Sequence, residues 1–565
     1  MDFPLQLAQA VSACCGIPAD ELVEMISVPP ESNMGDFALP CFRMAKAMRK
    51  APPIIAKDLC ETVALPEFVE RVEAVNGYMN FFMKPAEYAR AVLETVREEG
   101  ENYGGSSEGA NRNICIDYSS INIAKPFHIG HLSSTVIGHA LYRIYQHMGY
   151  NCVGINHLGD WGTQFGKLIV AYKRWGDKAT VEKGSIRALL DLYVRFHDEA
   201  EKNEFLNDEA RAWFKRIEDG DDEALSLFEW FKALTLREVG RVYDLLGIAF
   251  DSYAGESFYN DKMGRVIEEL EDKNLLKLDD GAYLVDLTEY SMPPCIVLRS
   301  DGATLYATRD IAAALYRKDT YDFAKCLYVV AYQQDLHFRQ WFKVVELMGY
   351  EWAKDLLHVS FGMVSMQDGT ISTRKGKVVF LEEVLNAAID KTLDVITEKS
   401  PDLADKPAVA RQVGVGAVVW NALYSSRIKD IVFSWDKALN FDGETGPYVQ
   451  YTHARCCAVL RKADIADMPA EIDYAQLNDE DSMRVVRALF DFRRAVKEAM
   501  EKNEPYLVSR AVVAICQAYN KFYYEHRIIG EEPAVQTARL ALTAAAKSVI
   551  STGLFLVGLA APERM

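Results

Sequence analysis

Apolar residues recur along this chain with two spacings, about 3.6 and about 2 residues, and the changes between them divide it into three stretches. Over the first 112 residues helical spacing dominates, at 10–15 and again at 42–49, before a Pro52-Pro53 break. A helix can restart at Pro53, where the missing N–H costs nothing, and Ile54, Ile55, Leu59 and Val63 give it one apolar face. A strand-like run at 78–82 follows Gly77, and together these predict a separate α+β module. The Gly-rich, polar run 100–113 is the linker candidate.

Beyond it the pattern changes. Residues 114–118 predict a short strand, and a loop at 119–127 leads into a long helix. Its apolar positions are Leu132, Val136, Ile137, Ala140, Leu141, Ile144, Tyr145 and Met148, with Gly149 as the stop and 152–156 as the next strand. Strand, helix and strand in about forty residues form a βαβ unit, which requires parallel strands. Residues 172–247 are charge-rich and helical, the pattern of an insertion between two halves of one fold. Strand signals return at 326–330 and 357–361. From about 408 to the end nearly everything is helix-periodic, with Pro469, Pro505 and Pro533 in the joints. The most apolar stretch, 540–561, is interrupted by Lys547, Ser548, Ser551 and Thr552, which predicts a buried helix and no membrane span. The expected fold class is α/β: a Rossmann-like parallel-sheet domain at 113–400 carrying the helical insertion, an α+β domain at 1–112, and an all-α bundle at 401–565.

Length and charge change this picture little. At 565 residues three or more domains are the natural division. A net charge of −19 excludes a globally basic nucleic-acid binder, although a local basic groove stays open. The 11 cysteines include no Cys-x-x-Cys pair. Cys14-Cys15 and Cys456-Cys457 lack a surrounding ligand set, and His453 before Cys456 is a lone triplet. The expectation is reduced, packed thiols, no structural zinc or other protein-bound metal, and a cytoplasmic location, since the N-terminus has no targeting pattern.

The first βα loop ends in His128-Ile129-Gly130-His131, just before the long helix. A helix start presents free N–H groups and a partial positive charge, which suits phosphates. Two imidazoles three residues apart share one face of the first turn and can donate to phosphate oxygens. Gly130 has no Cβ, so a flat base or ribose can lie against the backbone. Doubly wound sheets bind ligands at the carboxyl ends of their strands, which is where this loop falls. Two histidines that only cap a helix would read the same in isolation.

This tetrapeptide, in this place, resembles the class I aminoacyl-tRNA synthetases. About 240 residues later Ile371-Ser372-Thr373-Arg374-Lys375-Gly376 looks like a variant of that family's mobile Lys-Met-Ser-Lys-Ser loop. Longer stretches are similar to the arginyl-tRNA synthetases: residues 117–120, 122–126, 156–166, 306–310, 333–337, 361–364, 448–455 and 562–565. The resemblance covers essentially the whole chain. It implies ATP-dependent activation of L-arginine to arginyl-adenylate, then transfer to the 3′-terminal adenosine of tRNA(Arg), with AMP and pyrophosphate released. It also implies Mg2+ as Mg-ATP, tRNA bound before activation, attack by the 2′-hydroxyl, and a monomer.

Carried over residue by residue, the resemblance places the guanidinium of arginine between Glu256 and Asp310, with Tyr306 packing beside them. A guanidinium is planar, always charged and offers five donors, so a selective pocket needs acceptors in fixed geometry. Ser119, Asn122, Asn156 and Gln334 would hold the α-amino and carboxylate ends. Lys125, His128, Gly130, His131, Met363, Val364 and Ser372 would bind ATP. The chain departs from the family's loop pattern, because Thr370 and Thr373 stand where its lysines are usual. Lys125, Arg374 and Lys375 are the rival cations for the α-phosphate, and the choice among them stays open. In the helical bundle Tyr451, Tyr519, Phe522, Tyr523 and Tyr524 are candidates for stacking on anticodon bases, with Arg427, Arg455, Arg461 and Arg527 for phosphates. Tyr451, Arg455, Tyr523 and the terminal Met565 are the favoured tRNA-binding set. The 1–112 module resembles the family's domain for the tRNA elbow, through residues 33–37 and 76–78.

Overall fold

A computed structural model describes residues 2–29, 31–123, 125–299, 306–366, 379–465 and 467–565. In the N-terminal module helix Phe3–Cys15 starts where the Asp2 carboxylate accepts from Leu5 N (3.1 Å) and stops at left-handed Gly16. Helix Pro52–Thr62 begins one residue before the expected restart. Strands β1 (Phe37–Pro40), β2 (Val69–Val75) and β3 (Tyr78–Met83) form an antiparallel sheet in the order β1-β3-β2. Asn76 and Gly77, both at positive φ (51° and 87°), make the tight β2–β3 turn that Asn-Gly favours. The module rests on the C-terminal bundle through Arg487–Asp36 (2.6 Å) and the Tyr103 hydroxyl donating to Leu489 O (3.0 Å).

Strands β4 (Asn113–Asp117) and β5 (Asn151–Ile155) flank helix Leu132–His147, which is the βαβ unit the periodicity predicts. A small antiparallel meander of β6 (Leu276–Asp279), β7 (Ala282–Val285) and β8 (Cys295–Leu298) follows the insertion. Strands β9 (Lys325–Tyr328) and β10 (Leu356–His358) then complete a four-stranded parallel sheet in the order β10-β9-β4-β5. The chain leaves β4 toward β5 on one side and returns as β9 on the other. That reversal opens a crevice at the carboxyl end of β4.

The insertion is built from helices Thr163–Trp175, Lys178–Ala200 (broken at Ser185, φ 50°), Phe205–Glu218 and Asp222–Leu246, so it starts about a helix earlier than the charge pattern suggests. Asp177 and Asp221 cap the second and fourth, and left-handed Gly247 ends the last.

The C-terminal region departs from the all-helical expectation at one point. Strand β11 (Val364–Met366) pairs in parallel with β12 (Ile431–Phe433), so residues past 400 contribute a strand to a separate two-stranded sheet. A three-residue strand is too short to show alternation. Helices Gly446–Lys462, Glu480–Lys502, Tyr506–Glu525 and Pro533–Leu556 build the bundle. The last is apolar because most of it is buried in the bundle core.

Candidate active site

Helix Leu132–His147 is preceded by a short turn, Ile129–His131, with His128 as its cap. Gly130 N donates to His128 Nδ1 (3.1 Å), and His128 N donates to His131 Nδ1 (3.2 Å). Each Nδ1 is therefore an acceptor, and a neutral ring must carry its proton on Nε2. Burial holds both rings neutral: it depresses His128, and it depresses His131 to about 3, helped by His128 and Lys125. The two rings stand 4.0 Å apart, centroid to centroid, and present two Nε2–H donors at a helix start.

The turn is held from the far end of the domain. Ile129 N donates to Val379 O (3.2 Å), Leu381 N donates to Phe127 O (2.9 Å), and β11 packs against it. Met363 N donates to the Asp430 carboxylate (2.7 Å), and the Val364 side chain is buried. Ser372, Arg374, Lys375 and the two threonines Thr370 and Thr373 lie outside the described residues. Lys125 is exposed.

The two acids lie on the turn after Gly255 and in helix Tyr306–Tyr321. Glu256 follows Gly255, where a Cβ would come within 2.6 Å of both Asp160 Oδ1 and Leu158 O, so the turn passes too close for any side chain. Buried Asp160 fixes that turn: its carboxylate accepts from Ser257 N (2.9 Å), Ser257 Oγ (2.7 Å) and Lys232 Nζ (2.7 Å). One Glu256 oxygen, Oε2, meets Arg309 Nη1 at 3.1 Å. Burial pushes the Glu256 carboxyl up to about 7; Arg309 pulls it down, while Asp310 and Asp160 push it further up. Asp310 pairs with His337 Nε2 at 2.6 Å. Tyr306 opens helix Tyr306–Tyr321 one turn before Asp310 but is 69% exposed, so it does not pack on the acids in this structure.

Ser119 and Asn156 are buried. Both reach the hydroxyl of Tyr243, at 2.8 Å from Ser119 Oγ and 2.8 Å from Asn156 Nδ2. Asn122 and Gln334 are exposed, the first bridged to Gly159 and the second at the N-cap of helix Asp335–Leu347. Tyr243, Arg309, Asp160, Lys232 and His337 were not singled out by the sequence. Arg309, Asp160 and His337 lie inside the quoted stretches. Tyr243 has no local signal, since it sits among Val239, Val242 and Leu246 like any core aromatic.

A second concave surface lies in the bundle. Tyr451, Arg455, Tyr523 and Met565 line one groove of about 1190 Å³ with Tyr524, Arg461 and Arg527. The Arg455 guanidinium lies 5.1 Å from the Tyr451 ring and 5.0 Å from the Tyr523 ring. Two stacking candidates are corrected: Tyr519 and Phe522 are fully buried and pack in the core. Arg427 is corrected as well, because its guanidinium bonds Ser360 O and Asn503 O, far from the groove. His453 is buried with Nδ1 on Pro562 O (3.0 Å). Asp479, Asp481 and His526 cluster nearby, but their oxygens already serve Ser482 as a helix cap and Lys521.

A switch-point sheet with paired imidazoles at its first βα turn defines the class I aminoacyl-tRNA synthetases. Family comparison narrows this. The model described as "tRNA synthetases class I (R), catalytic domain" matches residues 93–435, "DALR anticodon binding domain" matches 449–565, and "Arginyl tRNA synthetase N terminal domain" matches 4–83. The chain is 57% identical to an arginine–tRNA ligase of Alkaliphilus metalliredigens over 97% of both chains. It is 56% identical to that of Clostridioides difficile, over 97% of this chain and 96% of the other. The solved arginyl-tRNA synthetase of Thermus thermophilus shares the fold over 100% of both chains, with a TM-score of 0.80 at 24% identity. The chain belongs to the arginyl-tRNA synthetase family. Its activity is ATP-dependent activation of arginine and charging of tRNA(Arg).

Proposed function

We propose that the crevice beside β4 holds ATP and L-arginine together and joins them before transfer to tRNA. ATP enters as its magnesium complex, which is a substrate. His128, Gly130 and His131 take the phosphates through the Nε2–H donors and the helix start; Met363, Val364 and Ser372 complete the cradle. Lys125, Arg374 and Lys375 supply cations to the α-phosphate. Glu256 and Asp310 receive the guanidinium, with Tyr306 closing over it. Ser119, Asn122, Asn156 and Gln334 receive the other end of the amino acid. The arginine carboxylate attacks the α-phosphorus in line, pyrophosphate leaves, and the tRNA 2′-hydroxyl then attacks the adenylate. No protein nucleophile is needed, because positioning and charge stabilisation carry the rate.

The supporting observation is Lys125, an exposed cation three residues before His128 whose charge acts on both His131 and Glu256. Charging of total tRNA with each of the twenty amino acids tests the reading: arginine alone should be attached. Arginine-dependent pyrophosphate exchange should require tRNA, and equal exchange without RNA would contradict it.

A pH profile follows from Glu256. With its carboxyl near 7, the group is protonated below that pH and cannot hold a cation. The kcat/KM for arginine should therefore fall about tenfold per unit below about pH 7 and level off above it. Burial depresses both motif imidazoles below the ordinary histidine range, His131 to about 3. Glu256→Gln should lower kcat/KM and flatten the profile. A profile with the same midpoint in that variant would exclude Glu256.

We assign tRNA contacts to residues 1–112 for the elbow and 401–565 for the anticodon, and catalysis to 113–400. In the bundle groove Tyr451 and Tyr523 would stack on bases while Arg455 meets phosphate and Met565 closes the rim. Arg455→Ala should raise the tRNA KM about tenfold and reduce the salt slope of binding by about 0.7, with the arginine KM unchanged. An unchanged slope would remove Arg455 from the RNA. A monomer of the cytoplasm without structural zinc completes the proposal; eleven free cysteines support a reducing compartment.

A further inference from the structure

Tyr243 ends a chain of hydroxyls whose direction can be worked out from one fixed point. Thr135 Oγ1 donates to His131 O at 2.8 Å, which uses its only proton. The 2.9 Å bond between Thr135 and Ser119 must then carry the Ser119 proton. Ser119 can accept only, so the 2.8 Å bond to Tyr243 carries the tyrosine proton. Tyr243 in turn accepts from Asn156 Nδ2 at 2.8 Å. Burial pushes the Tyr243 hydroxyl up, so it keeps its proton at neutral pH. The chain runs one way, from the Asn156 amide to the backbone carbonyl of His131.

This order determines how the amide faces. Nδ2 is held by Tyr243, so Oδ1 must point the other way, and Oδ1 is buried with no partner among the described residues. Asn156 is itself fully buried at the carboxyl end of β5. A buried acceptor left open takes a donor from an ordered water or a bound ligand. We infer that Tyr243, carried by the last turn of the helical insertion, is a positioning residue that locks Asn156 with Oδ1 toward the α-ammonium of the amino-acid substrate. The inference rests on the proposal that Asn156 belongs to the arginine site. It also gives the insertion a task, since Tyr243 lies 87 residues along the chain from Asn156 and ties helix Asp222–Leu246 to the imidazole turn.

The test compares L-arginine with 5-guanidinopentanoate, which lacks only the α-amino group, as a competitive inhibitor of aminoacylation by the full-length enzyme. The unsubstituted enzyme should prefer L-arginine strongly. In Tyr243→Phe the ring contacts with Phe127 and Phe250 remain, but the amide loses its acceptor and can turn. The arginine KM should rise about 5- to 100-fold, the preference over 5-guanidinopentanoate should collapse by a similar factor, and the ATP KM should hold. Equal weakening of both ligands, or no change in preference, overturns the inference and leaves Tyr243 a packing residue. Thr135→Val is the second variant, for use if Tyr243→Phe does not fold. It removes the fixed end of the chain while Tyr243 stays, and it should lower the preference in the same direction. Asn156→Ala separates the two levels. If it leaves the preference intact, the placement of Asn156 in the arginine site is wrong. If it abolishes the preference while Tyr243→Phe does not, only the role of Tyr243 falls.

Discussion

Asp310→Ala raises the arginine KM about 10²-fold while the ATP KM stays near its starting value. The argument begins with the ligand: a guanidinium cannot shed its charge, so each acceptor removed leaves donors unpaired in a partly desolvated space. Truncating one partner of a buried charge pair costs about 2–5 kcal/mol, and the lower end applies here because the Asp310 side chain is 29% exposed. Selectivity should suffer with affinity. Citrulline and lysine, which do not need two acids, should gain on arginine in the variant. His337 adds a second consequence. It now pairs with Asp310 at 2.6 Å and would lose that carboxylate. Measured arginine affinity equal to that of the parent enzyme would take Asp310 out of the pocket and with it the guanidinium end of the site.

The second large effect is at the other end of the crevice. His131→Ala lowers kcat for adenylate formation by about 10²–10³-fold with tRNA binding unchanged, because removing one preorganised donor to a developing oxyanion commonly costs that much. His131 also accepts the backbone N–H of His128, so the substitution strips a cap from the helix start. That should cost about 1 kcal/mol of stability and lower Tm modestly. The two effects separate in the assay: the loss of stability is the same with or without ATP, whereas the rate loss appears only in the chemical step. Equal loss of RNA binding and adenylation would instead favour a non-catalytic RNA-binding module.

Residues 122, 156, 256 and 310 illustrate how far local signals reach. Each lies in a stretch that can be matched to a family motif. What those motifs do not contain is how each group is held. Asp160 sits in a recognisable run, but its three donors come from Ser257 and from Lys232 in the insertion. Arg309 is adjacent to Asp310 in sequence, yet its partner Glu256 is 53 residues away. The aromatic stripe in the bundle makes the same point. Tyr519 and Tyr523 are one turn apart on one helix, but the first is core and the second faces the groove, because only the packing of neighbouring helices decides which face is covered.

The chain's own order of residues therefore determined the βαβ unit and the starts of its helices, since period, turn residues and helix starts are properties of short windows. Tertiary structure alone decided the β11–β12 pairing, the ion pair on Glu256 and the route from Asn156 through Tyr243 to His131. Those contacts join residues dozens of positions apart, and they form only when loop closure is offset by burial, which leaves no periodic trace in any window of sequence.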